Sequence, residues 1–328
     1  MVEIAVNNSF RPPLFFRNPH MQSVLASIKL RRPFVLFRAR RLISQSSHCI
    51  LDCGKGVRLE GKYTARKKGG NDLAVLIHGW EGSADSVYLI SAADYLFRKG
   101  FDVFRLNLRD HGNSHRLNRG LFHSCRIDET VGAVKAVQKR FPHRRLFLAG
   151  FSLGGNFALR IAARAPAAGI RPAKVMAVSP LLDPQKTMQI LEGGPSFYHH
   201  YFMKKWRRSL QKKYRLFPEF TELRDLSRFP TLGSMTEFFA PRHTGFSTAE
   251  AYLRAYSICG NALENLQIPS RILASADDPI IPAADLPRLA SGRNLTIELT
   301  SYGGHTGFIR NFRFRSYAEE CMARFFLS

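Results

Sequence analysis

A chain of 328 residues that is 45% hydrophobic and carries 26 phenylalanines has ample apolar material for a large core, which excludes a disordered polypeptide despite a formal charge of +24. That charge, with a sequence pI near 10.4, directs attention to anionic partners: phospholipid headgroups, nucleic acid or acidic substrates. Cys49, Cys53, Cys125, Cys259 and Cys321 are scattered without a zinc spacing and read as free thiols of a reducing compartment. The start, Met1 to Val6, lacks a basic region ahead of an apolar run, and no apolar stretch reaches the length of a spanning helix. The expected location is therefore cytoplasmic, with any membrane contact peripheral at the inner face.

Residues 1–45 are basic, aromatic and Pro-punctuated, and are expected to pack on the core as an extension, with a short helix over 21–28. The cluster at residues 38–41 reads as a solvated basic face. Two β-like runs, 49–52 and 57–63, flank Gly54-Lys55-Gly56 as a hairpin, with Cys49 and Cys53 on one face. A basic loop over 66–70 leads into Leu73–Ile77, an unbroken apolar run of buried-strand type. Alternation follows: helix 86–99, strand 101–106, helix 128–140, strand 146–149, a serine turn with a helix to Ala165, and strand 174–178. Apolar strands separated by amphipathic helices predict an α/β fold, a mainly parallel twisted sheet with helices on both faces.

After Asp183-Pro184 the alternation stops for about 80 residues, so the core is expected over 46–183 and 269–328, with a helical cap inserted at 184–268. Phe202, Trp206, Leu210 and Tyr214 recur every fourth residue there, predicting a helix whose apolar stripe faces inward and whose lysines and arginines face outward. Strands 271–274 and 295–299 resume the sheet, and a helix over 311–326 closes it.

Gly150-Phe151-Ser152-Leu153-Gly154 fits the G-x-S-x-G pattern of a strand-to-helix nucleophile turn. A serine hydroxyl needs a base within hydrogen-bond reach and an acid to orient that base. In this architecture the acid follows a late strand and the histidine follows the last one. Asp277-Asp278-Pro279 and Gly303-Gly304-His305 occupy those places. Asp278 is preferred to Asp277 because Pro282 stands four positions after it, Asp277 being read as a turn cap; Asp183 is a third candidate. Two backbone donors must face the developing oxyanion, and Leu153 and Trp80 are expected to supply them. His78 reads as a loop stabiliser. Asp110-His111-Gly112 lacks a metal-ligand spacing and reads as loop hydrogen bonding, and His199-His200 points in divergent directions. No metal is expected from these spacings.

Taken together, Asn18-Pro19-His20-Met21-Gln22-Ser23, His78-Gly79-Trp80-Glu81-Gly82, Asp110-His111-Gly112, residues 150–156, Asp277-Asp278-Pro279 and residues 303–308 resemble the α/β-hydrolase superfamily. Within it they resemble the group of YheT-type hydrolases and ABHD lipases. The resemblance implies hydrolysis of carboxylic esters, lipid-like or of short to medium acyl chain, by Ser152, Asp278 and His305 through an acyl-enzyme, with no metal or cofactor. Acyl transfer to another alcohol would use the same residues. A binding protein on the same fold, contacting anionic lipid or nucleic acid, is the contrasting reading. The absence of a nucleic-acid motif and the basic–aromatic interleaving of 204–214 favour a small-molecule or lipid ester and peripheral contact with anionic membrane.

Overall fold

The computed structural model describes residues 3–27, 30–66, 71–290 and 292–328. Ile28, at the end of the expected first helix, and residues 67–70 of the basic loop lie outside them. In chain order the elements begin with strand β1 (Glu3–Asn7), helices α1 (Pro19–Ser27), α2 (Arg32–Arg38) and α3 (Arg40–Ser44), and strands β2 (Ser47–Asp52), β3 (Arg58–Thr64) and β4 (Leu73–Ile77). They continue through α4 (Val87–Arg98), β5 (Asp102–Asn107), α5 (Ile127–Arg140), β6 (Leu146–Phe151), α6 (Leu153–Ala168) and β7 (Pro172–Val178). Four helices follow without a strand: α7 (Pro184–Gly193), α8 (Ser196–Leu216), α9 (Leu232–His243) and α10 (Ala249–Ala255). The chain closes with β8 (Ser270–Ser275), β9 (Leu295–Thr300) and α11 (Tyr317–Leu327).

The strands form one sheet in the order β1-β9-β8-β7-β6-β4-β5-β3-β2. It is parallel from β1 to β5; β3 is antiparallel to β5 and to β2, so β3 alone runs against the other strands. The unbroken apolar run of β4 has its explanation in two cores. Leu73, Val75 and Ile77 join the one beneath α5, α6 and the inserted helices, while Ala74 and Leu76 join the one beneath α4 and α11. Each fully buried aliphatic side chain contributes about 1.5–3 kcal/mol, so a strand packed on both faces anchors the middle of the sheet. α5 adds a favourable helix dipole, with Asp128 and Glu129 in its first turn and Lys139 and Arg140 in its last.

The structure revises three expectations. Residues 1–45 are more than an extension: β1 pairs in parallel with β9, Glu3 opposite Thr296 through Asn7 opposite Thr300, and becomes the sheet edge. The closing helix starts at Tyr317 rather than Asn311. The Asn311 side chain accepts the amide of Arg313, Phe314 takes φ 54°, and the Phe314 carbonyl accepts from Arg31, so the backbone turns before it can coil. On α8 the charges do not all face outward. Lys213 is buried, and its ammonium lies 2.8 Å from Asp110 Oδ1 and donates also to the carbonyls of His115 and Asn118.

Candidate active site

Ser152 stands between β6 and α6 with φ 52° and ψ −120°, a conformation that an L-residue adopts only under constraint. The constraint is close packing. A Cβ at Gly150 would overlap the carbonyl of Gly154, and one at Gly154 would overlap the carbonyls of Ile77 and His78. Only glycine lets β4, β6 and α6 approach this closely.

The loop after β9 brings His305 to Ser152. The Nδ1 of His305 lies 3.0 Å from Asp278 Oδ2 and its Nε2 2.9 Å from Ser152 Oγ. A carboxylate only accepts, so Nδ1 carries the proton and Nε2 is left to accept from the serine hydroxyl. The other oxygen of Asp278 accepts from the amides of Ile280 and Ile281, each at 2.9 Å, which fixes the carboxylate plane. Asp277 does something different: its Oδ1 accepts from Gly304 N at 2.9 Å and thereby ties the loop that carries the histidine. Burial pushes its carboxyl above the usual range. Asp183 caps α7, accepting from the amides of Gln185 and Lys186, and pairs with Arg288.

Gly79 packs against the serine, where an added Cβ would stand 3.2 Å from Ser152 Cβ. The neighbouring amides are engaged: Gly79 N donates to Tyr88 Oη at 2.9 Å, Glu81 N to His111 Nε2 at 3.1 Å, and Ser152 N to the carbonyl of Val178 at 2.9 Å. Those of Trp80 and Leu153 have no protein acceptor among the described residues. His78 accepts from Leu108 N at 3.1 Å and donates to the Gly79 carbonyl, and burial holds it neutral, well below the usual imidazole range. His111 is likewise pushed down to about 4 by burial and donates to the Arg109 carbonyl. Both imidazoles fasten loops. His200 donates to the Ser196 carbonyl one turn back on α8.

A cavity of about 510 Å³ opens over Ser152 and His305. Its apolar wall draws Leu121 and Phe122 from the core and Leu191, Trp206, Leu210 and Phe239 from the inserted helices. Phe202 and Trp206 of the expected stripe pack on Trp80, at 5.3 and 5.4 Å between ring centroids, while Tyr214 packs on the core away from the cavity. A polar stretch holds Arg32, Glu81, Ser83, Asp85 and Lys205. Lys205 donates to the Glu81 carbonyl at 3.0 Å, so α8 is pinned above the loop that follows β4. Burial pushes the Glu81 carboxyl up to about 8.

Sequence reasoning missed the part played by α1. Ser23 Oγ accepts from His305 N at 2.8 Å and donates to the Pro19 carbonyl. Gln22 donates to the carbonyls of Phe16 and Ile309 and accepts from Ile309 N at 2.6 Å. The Asn18-to-Ser23 block was the signal available, but its partners lie at the far end of the chain.

Similarity to known proteins fits this arrangement. The chain is 23% identical over 312 residues to a protein of Escherichia coli named "Putative esterase YheT", covering 94% of this chain and 89% of that one. It is 25% identical over 255 residues to the monoacylglycerol lipase ABHD2 of Danio rerio, covering 73% of this chain but only 60% of the length of that relative. Among solved structures, the esterase Pf2001 of Pyrococcus furiosus aligns with a TM-score of 0.56 at 16% identity, covering 88% of this chain and 90% of the other. The family model described as alpha/beta hydrolase fold matches residues 75–312, the stretch that holds the serine turn, both aspartates and the histidine loop, and the chain belongs to that family.

Proposed function

We propose that the protein hydrolyses single-chain, lipid-like carboxylic esters, with Ser152 as nucleophile, His305 as general base and acid, and Asp278 as the group that orients the imidazole. Family membership, together with an esterase and monoacylglycerol lipases among the relatives, makes it a carboxylic ester hydrolase of the esterase and lipase type. The finer reading rests on one observation, the hydrogen-bonded line from Ser152 Oγ through His305 to Asp278 under an apolar cavity.

In this scheme Ser152 Oγ attacks the acyl carbonyl carbon while its proton passes to His305 Nε2. The carbonyl oxygen becomes an oxyanion and accepts from the amides of Trp80 and Leu153, a stabilisation of roughly 3–4 kcal/mol per donor in a site that excludes water. The tetrahedral intermediate collapses, the C–O bond to the alcohol breaks, and the imidazolium returns its proton to the leaving oxygen. Water, deprotonated by the same imidazole, then releases the acid and regenerates the hydroxyl. The segment 184–268 acts as a cap that supplies the acyl wall, and a 510 Å³ cavity is in the range of sites for small single-chain ligands.

The test is an activity profile across p-nitrophenyl esters and monoacyl lipids, run beside Ser152→Ala with fluorophosphonate labelling. Loss of labelling, with turnover lowered by about 10³-fold or more, is the expected result. Equal labelling of both proteins overturns the assignment.

A further inference from the structure

The exposed apolar side chains are not scattered. Among the described residues, more than half of the large ones belong to the first 45 positions, where Phe15 is 59%, Phe37 69% and Leu14 78% exposed. Phe15 and Phe34 among them share one aromatic cluster. Phe15 meets Phe312, itself 64% exposed; the buried ring of Phe16 meets Phe312 and half-buried Phe314, and Phe314 meets exposed Phe34 on α2. Phe37 follows Phe34 by three residues and so lies on the same side of α2. Exposed aromatic side chains gathered over a shared apolar base mark an interaction site.

The charges around it have one sign. Glu3 is the only acidic residue in positions 1–45, and none occurs in 309–316. Arg11, Arg40, Arg41, Arg313 and Arg315 of the same two segments are exposed, with the Arg40 guanidinium 4.8 Å from the ring centroid of Phe37. The nearest acids on α11 are taken: Glu319 pairs with buried Arg31 at 3.3 Å, and Glu320 pairs with Arg310. This surface also borders the way into the cavity. Arg32, which opens α2, lines the cavity together with Tyr201 of α8, and His20 of α1 meets Phe197 and Tyr198 at ring distances of 5.9 and 5.8 Å. Phe197 and Tyr201 are themselves exposed, and Tyr201 also lines the cavity.

We infer that the aromatic–arginine face built from residues 11–17, 30–41 and 310–315 docks on the surface of an anionic lipid bilayer, with the phenylalanines at the acyl boundary, the arginines on the headgroup phosphates, and the cavity entrance turned to the membrane. Charge complementarity selects this occupant. A second copy of the chain would bring a like-charged face against this one, whereas a bilayer offers apolar depth and negative charge together. Docking here is independent of the chemistry assigned to Ser152 and depends only on the surface.

The test is sedimentation of the full chain with vesicles of phosphatidylcholine alone and of phosphatidylcholine with phosphatidylglycerol. Two variants are compared with the parent, Leu14→Ser/Phe37→Ser and Arg40→Gln/Arg41→Gln/Arg313→Gln, none of which touches the residues around Ser152. The parent is expected to partition at least about tenfold better onto the anionic vesicles. The arginine variant should lose roughly fivefold per charge, about 100-fold in all, and the apolar variant at least about tenfold. Both should hydrolyse a soluble p-nitrophenyl ester like the parent while losing activity on an ester embedded in the vesicle. Equal partition of the parent onto both vesicle types overturns the inference, as does undiminished binding by the variants. A concentration-dependent dimer in sedimentation velocity that both variants abolish would assign the face to a second copy instead.

Discussion

Ser152 and His305 lie 2.9 Å apart, yet the chain holds them in opposite ways. The serine turn is local: β6, two obligatory glycines and α6 lie within some twenty residues and leave the backbone no alternative. The histidine loop is borrowed from everywhere else. Its amides and carbonyls are bound by Ser23, Asp277, Ser179 and Ser275, and Gly304 lies against the Pro19 carbonyl and Gln22. A locally strained turn is either formed or lost. A loop tied by many distant bonds can be loosened by degrees.

Substitution should therefore grade differently at the two places. Gly150→Ala forces a Cβ into the Gly154 carbonyl and should abolish fluorophosphonate labelling and turnover together, circular dichroism showing whether the fold survives. Asp278→Asn should lower kcat by roughly 10⁴-fold through loss of the imidazole tautomer, while Asp277→Asn, acting only on the loop, should cost about tenfold. Equal losses would merge the roles assigned to the two carboxylates. Lys213→Met removes the cation from buried Asp110 and should destabilise the chain by about 3–5 kcal/mol in urea unfolding. Ser23→Ala should cost about 1–3 kcal/mol in stability and lower kcat several-fold, with KM unchanged, because it frees the His305 amide.

The smallest effect concerns pH. Glu81 holds its proton to about 8 in the folded chain against an ordinary 4.5, because burial disfavours the carboxylate. Between those values the unfolded chain binds fewer protons, so this group makes stability fall as pH rises. Glu81→Gln should then melt a few degrees above the parent above pH 8 and level with it near pH 4.5. A difference that is constant across the range would remove titration as its cause.

What the sequence shows divides along the same line. Leu73–Ile77 reads as a strand buried on both faces because five apolar residues in a row leave no polar face to expose, and it is one. The serine turn is equally legible, since its glycines and the adjacent strand and helix are contiguous. Ser23 could not be read, because its hydrogen-bond partner is 282 residues away and a serine on a short helix carries no mark of it. Periodicity also fails at Lys213: it sorts residues by face, and a lysine on the inward face looks like an error until Asp110 is seen opposite. β1 was invisible for a related reason, since Glu3–Asn7 is mostly exposed and is a strand only because β9 offers an edge.

The pairing of β1 with β9 has a consequence for the order of events on the ribosome. Residues 3–23 cannot reach their final partners until residues 295–309 have emerged, so the segment waits while the intervening chain is made. With its phenylalanines and arginines uncovered for that interval, it is a segment that a chaperone would shield.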